Sequence, residues 1–124
     1  MQKIPKMIHI TYKTKDIDLF PEKYITGYES IIKHYNKTHK IKLYDDDELH
    51  EIVKSFLKNE TVYEHFKKQK MIIKTDIFRY IILYIFGGIY MDLDIIWDKP
   101  IELDYSKNVI LSQEKVHLTQ KIVN

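Results

Sequence analysis

A chain of 124 residues suits one small domain, residues 1–124, and its 44% apolar and 31% charged residues exclude a disordered, collagen-like or low-complexity protein. The absence of Cys excludes a disulfide framework, a thiolate metal site and a cysteine nucleophile. A net charge of +2, with Lys spread along the chain among acids, gives no ground for a nucleic-acid surface.

Taken in chain order, Lys6–Tyr12 is a short apolar-rich run after Pro5 and reads as a first strand. Lys13–Asp18 is a polar loop at its C-terminal end. Pro21 opens a helix to about Tyr35, with Tyr24, Tyr28, Ile31, Ile32 and Tyr35 at three-to-four spacing. Ile41–Tyr44 reads as a second strand. Asp45, Asp46 and Asp47 then begin a helix whose apolar residues are Leu49, Ile52, Val53, Phe56 and Leu57, since acidic side chains cap free N–H groups and complement the positive end of the dipole. A third helix runs from about Thr61 to Lys67, Lys68 and Lys70, and a fourth from about Ile72 to Phe86, stopped by Gly87. Ile89–Ile95 is strand-like, and Val109–Ser112 reads as a further strand beyond Pro100.

Strands alternating with helices predict an α/β domain with a mostly parallel sheet. The most apolar stretch, Tyr80–Tyr90, is far shorter than the roughly 20 residues that a membrane span needs. The first 25 residues carry Lys and acids and no apolar targeting segment, so the chain reads as cytoplasmic with no membrane span.

The informative segment is Lys74–Asp94. On a strand, Asp92 and Asp94 at i, i+2 would share one face. Two hard oxygen ligands suit magnesium or manganese, which take further ligands from water and phosphate. A lone Asp-x-Asp is weak, because ten Asp in 124 residues give roughly 0.8 such pairs by chance. Asp16/Asp18 reads as a solvated loop and Asp45/Asp47 as a helix cap. Asp92/Asp94 differs in lying among Tyr90, Met91, Leu93, Ile95 and Ile96, where buried carboxylates need a partner or a metal; the alternative is a strand end salt-bridged to Lys. Asp76 and Arg79, at i, i+3, share one helix face. They make either a structural ion pair or a polar pair facing a ligand. Arg79 is the one arginine against nineteen Lys, and a guanidinium grips phosphate bidentately where Lys is a point charge. Gly87-Gly88 turns the helix into the strand and brings the two acidic segments side by side.

Thr75-Asp76-x-x-Arg79-Tyr80-x-x-Leu83-Tyr84-x-x-Gly87-Gly88-x-Tyr90-x-Asp92-x-Asp94 resembles the sugar-binding DxD region of glycosyltransferase family 32, which holds capsular-polysaccharide and mannosyl- or galactosyltransferase-like enzymes. Ile4-Pro5-Lys6-Met7-Ile8-His9 followed by Tyr12-Lys13-Thr14 is similar to that family's opening strand, with Tyr12 where the family has Trp. Leu43–Asp47 and Lys99-Pro100-Ile101 match in the same order, so the resemblance covers about residues 4–104, with Thr75 standing where the family has Ser. The resemblance implies a GT-A, Rossmann-like nucleotide-sugar fold, shortened after the DxD strand because 30 residues follow Asp94. It implies that Asp94 ligates a divalent metal, manganese before magnesium, and that Asp92 touches the donor and assists the metal. Asp76 and Arg79 would hold the donor sugar and its diphosphate, and Ile10, Thr11 and Tyr12 would border the nucleobase. The function implied is transfer of a sugar from a UDP- or GDP-sugar to a glycan or other hydroxyl acceptor, with retention at the anomeric carbon, or the donor-binding half of such an enzyme in polysaccharide biosynthesis. The alternatives are a non-catalytic nucleotide-sugar and metal-binding remnant, and a scaffold that self-associates through Ile81, Ile82, Ile85 and Phe86. His117 reads as a solvated surface residue.

Overall fold

The computed structural model describes residues 4–107. The expected strand at Val109–Ser112, and His117, lie outside them. The element order is β1 (Met7–Thr11), a 3-10 turn (Ile17–Leu19), α1 (Glu22–Tyr35), β2 (Lys40–Tyr44), α2 (Asp46–Leu57), α3 (Glu60–Lys67), α4 (Met71–Phe86) and β3 (Ile89–Tyr90). The α/β class and every expected helix are present. The short 3-10 turn interrupts what reads in sequence as a plain loop, with Asp16 accepting from the Asp18 N–H at its start.

The three strands form one parallel sheet in the order β2-β1-β3. In register, Ile8 pairs with Ile41 and Ile89, and Ile10 with Leu43. Alternation along a strand sends these residues to one face, where Ile31 and Tyr35 of α1, Phe20, Met91 and Leu93 complete a core. His9, Tyr44 and Tyr90 belong to the opposite face, covered by Leu49, Val53, Tyr63, Phe66, Phe78, Ile81 and Ile82 of α2, α3 and α4. Both faces of the sheet are therefore covered, as parallel sheets require.

Local chemistry sets the element ends. Asp45 and Glu48 form a reciprocal capping box at the start of α2, satisfying two free N–H groups. Asn59 caps α3 through the Val62 N–H. Gly87 and Gly88, at φ +68° and +95°, make the turn from α4 into β3; a Cβ on Gly88 would lie 2.4 Å from the Met7 carbonyl oxygen. Buried His9 ties this turn to the sheet. Its Nε2 donates to the Gly87 carbonyl at 2.8 Å, so the neutral ring accepts at Nδ1 from the Tyr44 hydroxyl at 2.9 Å. Burial holds the His9 pKa below the ordinary value, with Lys42 adding to the lowering and the Gly87 carbonyl opposing it. Burial also pushes the Tyr44 phenol up to about 12.

Two expectations are corrected. The third strand ends at Tyr90 rather than Ile95, because its pairing with β1 spans only Ile8 and His9 and the chain then turns at Leu93 and Asp94. Ile81 and Ile82 are core residues, so the exposed apolar residues in the C-terminal half of that helix are Ile85 and Phe86 with Tyr80 and Tyr84. No helix among the described residues is long and apolar enough to cross a membrane.

Candidate functional site

The loop leaving β1 turns toward α1 on one face of the sheet, while that leaving β2 enters α2 on the other. Diverging loops at the C-terminal ends of parallel strands open a crevice, the usual ligand position of such sheets. Here the crevice is an open cleft of about 430 Å³. Its walls are Thr11, Tyr12 and Lys13 after β1, Tyr24 of α1, Asp46 of α2, Met71, Ile72, Thr75, Asp76 and Arg79 of α4, and Tyr90–Asp94. Asp76, Arg79, Asp92, Asp94, Thr11 and Tyr12 thus meet at one cleft. Ile10 does not line it: its side chain is fully buried in the α1-side core.

Asp92 and Asp94 sit just beyond the sheet rather than on a paired strand, and both are exposed. The in-out alternation outlasts the ladder. Met91 and Leu93 point into the core, and the two carboxylates between and after them face solvent at the cleft. The expectation of a buried acidic pair is therefore corrected, since anchoring comes from the two apolar neighbours and leaves both carboxylates exposed at the cleft.

Arg79 does not pair with Asp76. Its Nη2 donates to Asp92 Oδ1 at 3.2 Å, and its guanidinium lies over the Tyr90 ring, 4.7 Å from the centroid. The Tyr90 hydroxyl is in turn hydrogen-bonded to Thr11 Oγ1 at 2.6 Å, and burial raises its pKa, which keeps the phenol protonated. Arg79 Nε is buried with no hydrogen-bond partner. The guanidinium is thus held by stacking and one carboxylate, with donor capacity left for an anionic ligand. Asp76 is exposed and takes part in no ion pair among the described residues.

Tyr12 packs on Phe20 at 4.4 Å and meets the edge of Tyr24 at 5.3 Å, forming an aromatic wall on the α1 side. Lys15 of the loop after β1 reaches Glu48 of α2 at 2.5 Å and ties the two cleft-forming loops together. Nearby Glu48 raises the Lys15 pKa, first through the side-chain hydrogen bond.

The acidic segment is positioned by α1, a role the sequence reading missed. Gly27 faces it so closely that a Cβ there would lie 1.8 Å from the Leu93 carbonyl oxygen. One turn on, the Ser30 hydroxyl donates to the Gly27 carbonyl at 2.7 Å and accepts from the Trp97 N–H at 3.0 Å. Tyr35 accepts from the Ile101 N–H at 2.7 Å. Three residues of one helix thus template the chain from Leu93 to Ile101. The available signal was Gly27 itself, a costly residue inside an otherwise periodic helix.

The donor chemistry fits a divalent cation. Asp92 and Asp94 offer hard oxygen in a cleft that Asp76 also lines, and no group of three or more His, Cys, Asp or Glu is placed to hold a metal by itself among the described residues. That set matches a metal which completes its shell with water and phosphate.

The family described as glycosyltransferase sugar-binding region containing DXD motif matches residues 21–117, so the likeness at Ile4–Thr14 lies outside the matched span. Inositol phosphoceramide mannosyltransferase 3 of Schizosaccharomyces pombe is 36% identical over 96 residues, which cover 74% of this chain and 24% of the relative. Mannosyl phosphorylinositol ceramide synthases SUR1 and CSH1 of Saccharomyces cerevisiae are 37% and 39% identical over 97 residues, covering 75% of this chain and 23% of each relative. The chain thus spans about a quarter of the length of the curated relatives it matches. No solved structure gives a significant match. With the matched span covering most of the chain and the motif at the mouth of the cleft, the chain belongs to the family of glycosyltransferases whose sugar-binding region contains the DXD motif.

Proposed function

We propose that the cleft binds a nucleotide-sugar donor with a divalent metal, manganese before magnesium, and serves retaining transfer of a hexosyl unit to a hydroxyl acceptor. The observation that carries this reading is the convergence of Asp92, Asp94, Asp76 and Arg79 at the C-terminal edge of a parallel sheet. Asp94 and Asp92 would hold the metal, which supplies charge neutralisation to the diphosphate. Arg79, stacked on Tyr90 and oriented by Asp92, directs its free donors at phosphate oxygens, where negative charge grows as the nucleoside diphosphate leaves. Asp76 faces the sugar, where a carboxylate stabilises positive charge developing at the anomeric carbon. Tyr12, in the aromatic wall it forms with Phe20 and Tyr24, would border the nucleobase with Thr11 beside it. The names of the relatives favour mannose as the sugar.

The test is calorimetric titration of UDP and GDP into the 124-residue chain, with and without manganese. Metal-dependent binding of one nucleotide, lost in Asp94→Ala, supports the reading and identifies the base. Binding of neither nucleotide overturns it. Binding with no hydrolysis or transfer of the matching nucleotide sugar identifies a non-catalytic donor-binding domain.

A further inference from the structure

The junction between α3 and α4 holds the longest exposed run among the described residues. Residues 67–73 are seven consecutive exposed residues, and they contain three lysines, Lys67, Lys68 and Lys70, followed directly by Met71, Ile72 and Ile73. Ile72 is 71% exposed. Lys67 is paired with Glu64 at 2.9 Å, but Lys68 and Lys70 take part in no ion pair among the described residues. The acids nearest in sequence are Glu64, already engaged, and Asp76, inside the cleft. The same junction forms the rim of the cleft, since Met71 and Ile72 line its mouth.

We propose that this junction docks on an anionic lipid bilayer and sets the mouth of the cleft at the membrane surface. The charge selects the partner: three lysines within four residues outnumber Glu64, the acid beside them, and are drawn to an anionic leaflet. The three apolar side chains select a lipid interface over a soluble polyanion, because they insert at headgroup depth while the lysine stems lie along the surface. A second copy of this chain is disfavoured as the occupant, since a two-fold contact through this patch would oppose lysine to lysine. Docked in this way, the cleft meets a hydroxyl acceptor carried on a lipid headgroup. That last consequence rests on the proposed transferase reading; the docking itself does not.

The experiment is co-sedimentation of the 124-residue chain with vesicles of phosphatidylcholine alone and of phosphatidylcholine mixed with phosphatidylinositol. Binding to the anionic vesicles is expected, weakening as salt is raised. Lys68→Gln with Lys70→Gln should lower the partition coefficient about 25-fold, about fivefold per lysine. Ile72→Ser should lower it about tenfold, and the charge-keeping pair Lys68→Arg with Lys70→Arg should leave it intact. All the substituted side chains are exposed, so unchanged thermal melts are expected for each variant. No binding, equal binding to both vesicle types, wild-type binding by the glutamine or serine variants, or self-association through Ile72 without vesicle binding would each overturn the proposal. Failure here leaves nucleotide binding untouched, and failure of the nucleotide titration leaves vesicle binding untouched, so the two readings fall separately.

Discussion

Arg79 is the residue on which the cleft's polar geometry converges. It stacks on Tyr90, donates to Asp92 and keeps a buried Nε free of any partner. Lysine in its place retains the charge and loses both the planar stack and the fork. Arg79→Lys is therefore expected to weaken metal-dependent nucleotide binding about tenfold while moving the melting temperature little, read by titration beside a thermal melt. If affinity stays at the wild-type value, the guanidinium geometry has no part in binding. His9 carries the pH behaviour. Burial lowers its folded-state pKa, and His39 shifts the same way through burial and Lys6. Groups of this kind bind protons more readily in the unfolded chain, so stability is full above the unfolded value near 6.5 and falls as pH drops below it. Urea melts between pH 7 and pH 5 should show this decline, and its slope should be smaller in His9→Gln, which starts from a less stable fold. A flat profile over that window would show that burial does not hold His9 neutral.

Among the elements, α1 sets the acidic segment. In an isolated helix Gly27→Ala would gain about 1 kcal/mol. Here the new Cβ meets the Leu93 carbonyl, so the same change should cost about 2–3 kcal/mol and push Asp92 and Asp94 from their places. Urea melts give the sign, and titration with manganese and nucleotide should show binding lost together with stability; a stabilised variant would mean that α1 does not touch the segment. The opposite sign is expected at Lys58, a non-glycine at φ +51° that closes α2. Lys58→Gly should stabilise by about 1 kcal/mol, measured in the same melts. These two positions mark how much could be read in the sequence. Helices announced themselves through Asp45, Asp46 and Asp47, through Pro21 and through Gly87, because caps are local chemistry. The pairing of Arg79 was not legible. At i, i+3 Asp76 is its neighbour on the helix, whereas the turn at Gly87-Gly88 brings Asp92 within 3.2 Å. The end of β3 was equally hidden, because the alternation of Met91, Asp92, Leu93 and Asp94 persists after the hydrogen-bond ladder has stopped.

In the whole molecule, the cleft joins the two layers that flank the sheet. Tyr12 and Tyr24 belong to the α1 side, Asp76 and Arg79 to α4, and Asp92 and Asp94 lie on the segment that leaves β3 and is carried by α1. A ligand that touches all of these binds only the folded chain, so it must raise stability in proportion to its occupancy. At a hundred times its dissociation constant, a nucleotide with manganese should add about 2.7 kcal/mol. For a domain of this size each kcal/mol moves the midpoint by roughly 4 °C, so the expected rise is on the order of 10 °C. Manganese alone should do little, because no group of three or more His, Cys, Asp or Glu is placed to hold a metal by itself among the described residues. Nucleotide alone should also do little, because its diphosphate would face Asp46, Asp76, Asp92 and Asp94, which outnumber the cations of the cleft, Arg79 and Lys13. The two together should exceed the sum of their separate shifts, and Asp94→Ala should abolish the excess. Thermal melts with each component and with both measure it directly. Merely additive shifts would mean that metal and nucleotide occupy separate places, and the shared cleft would lose its role.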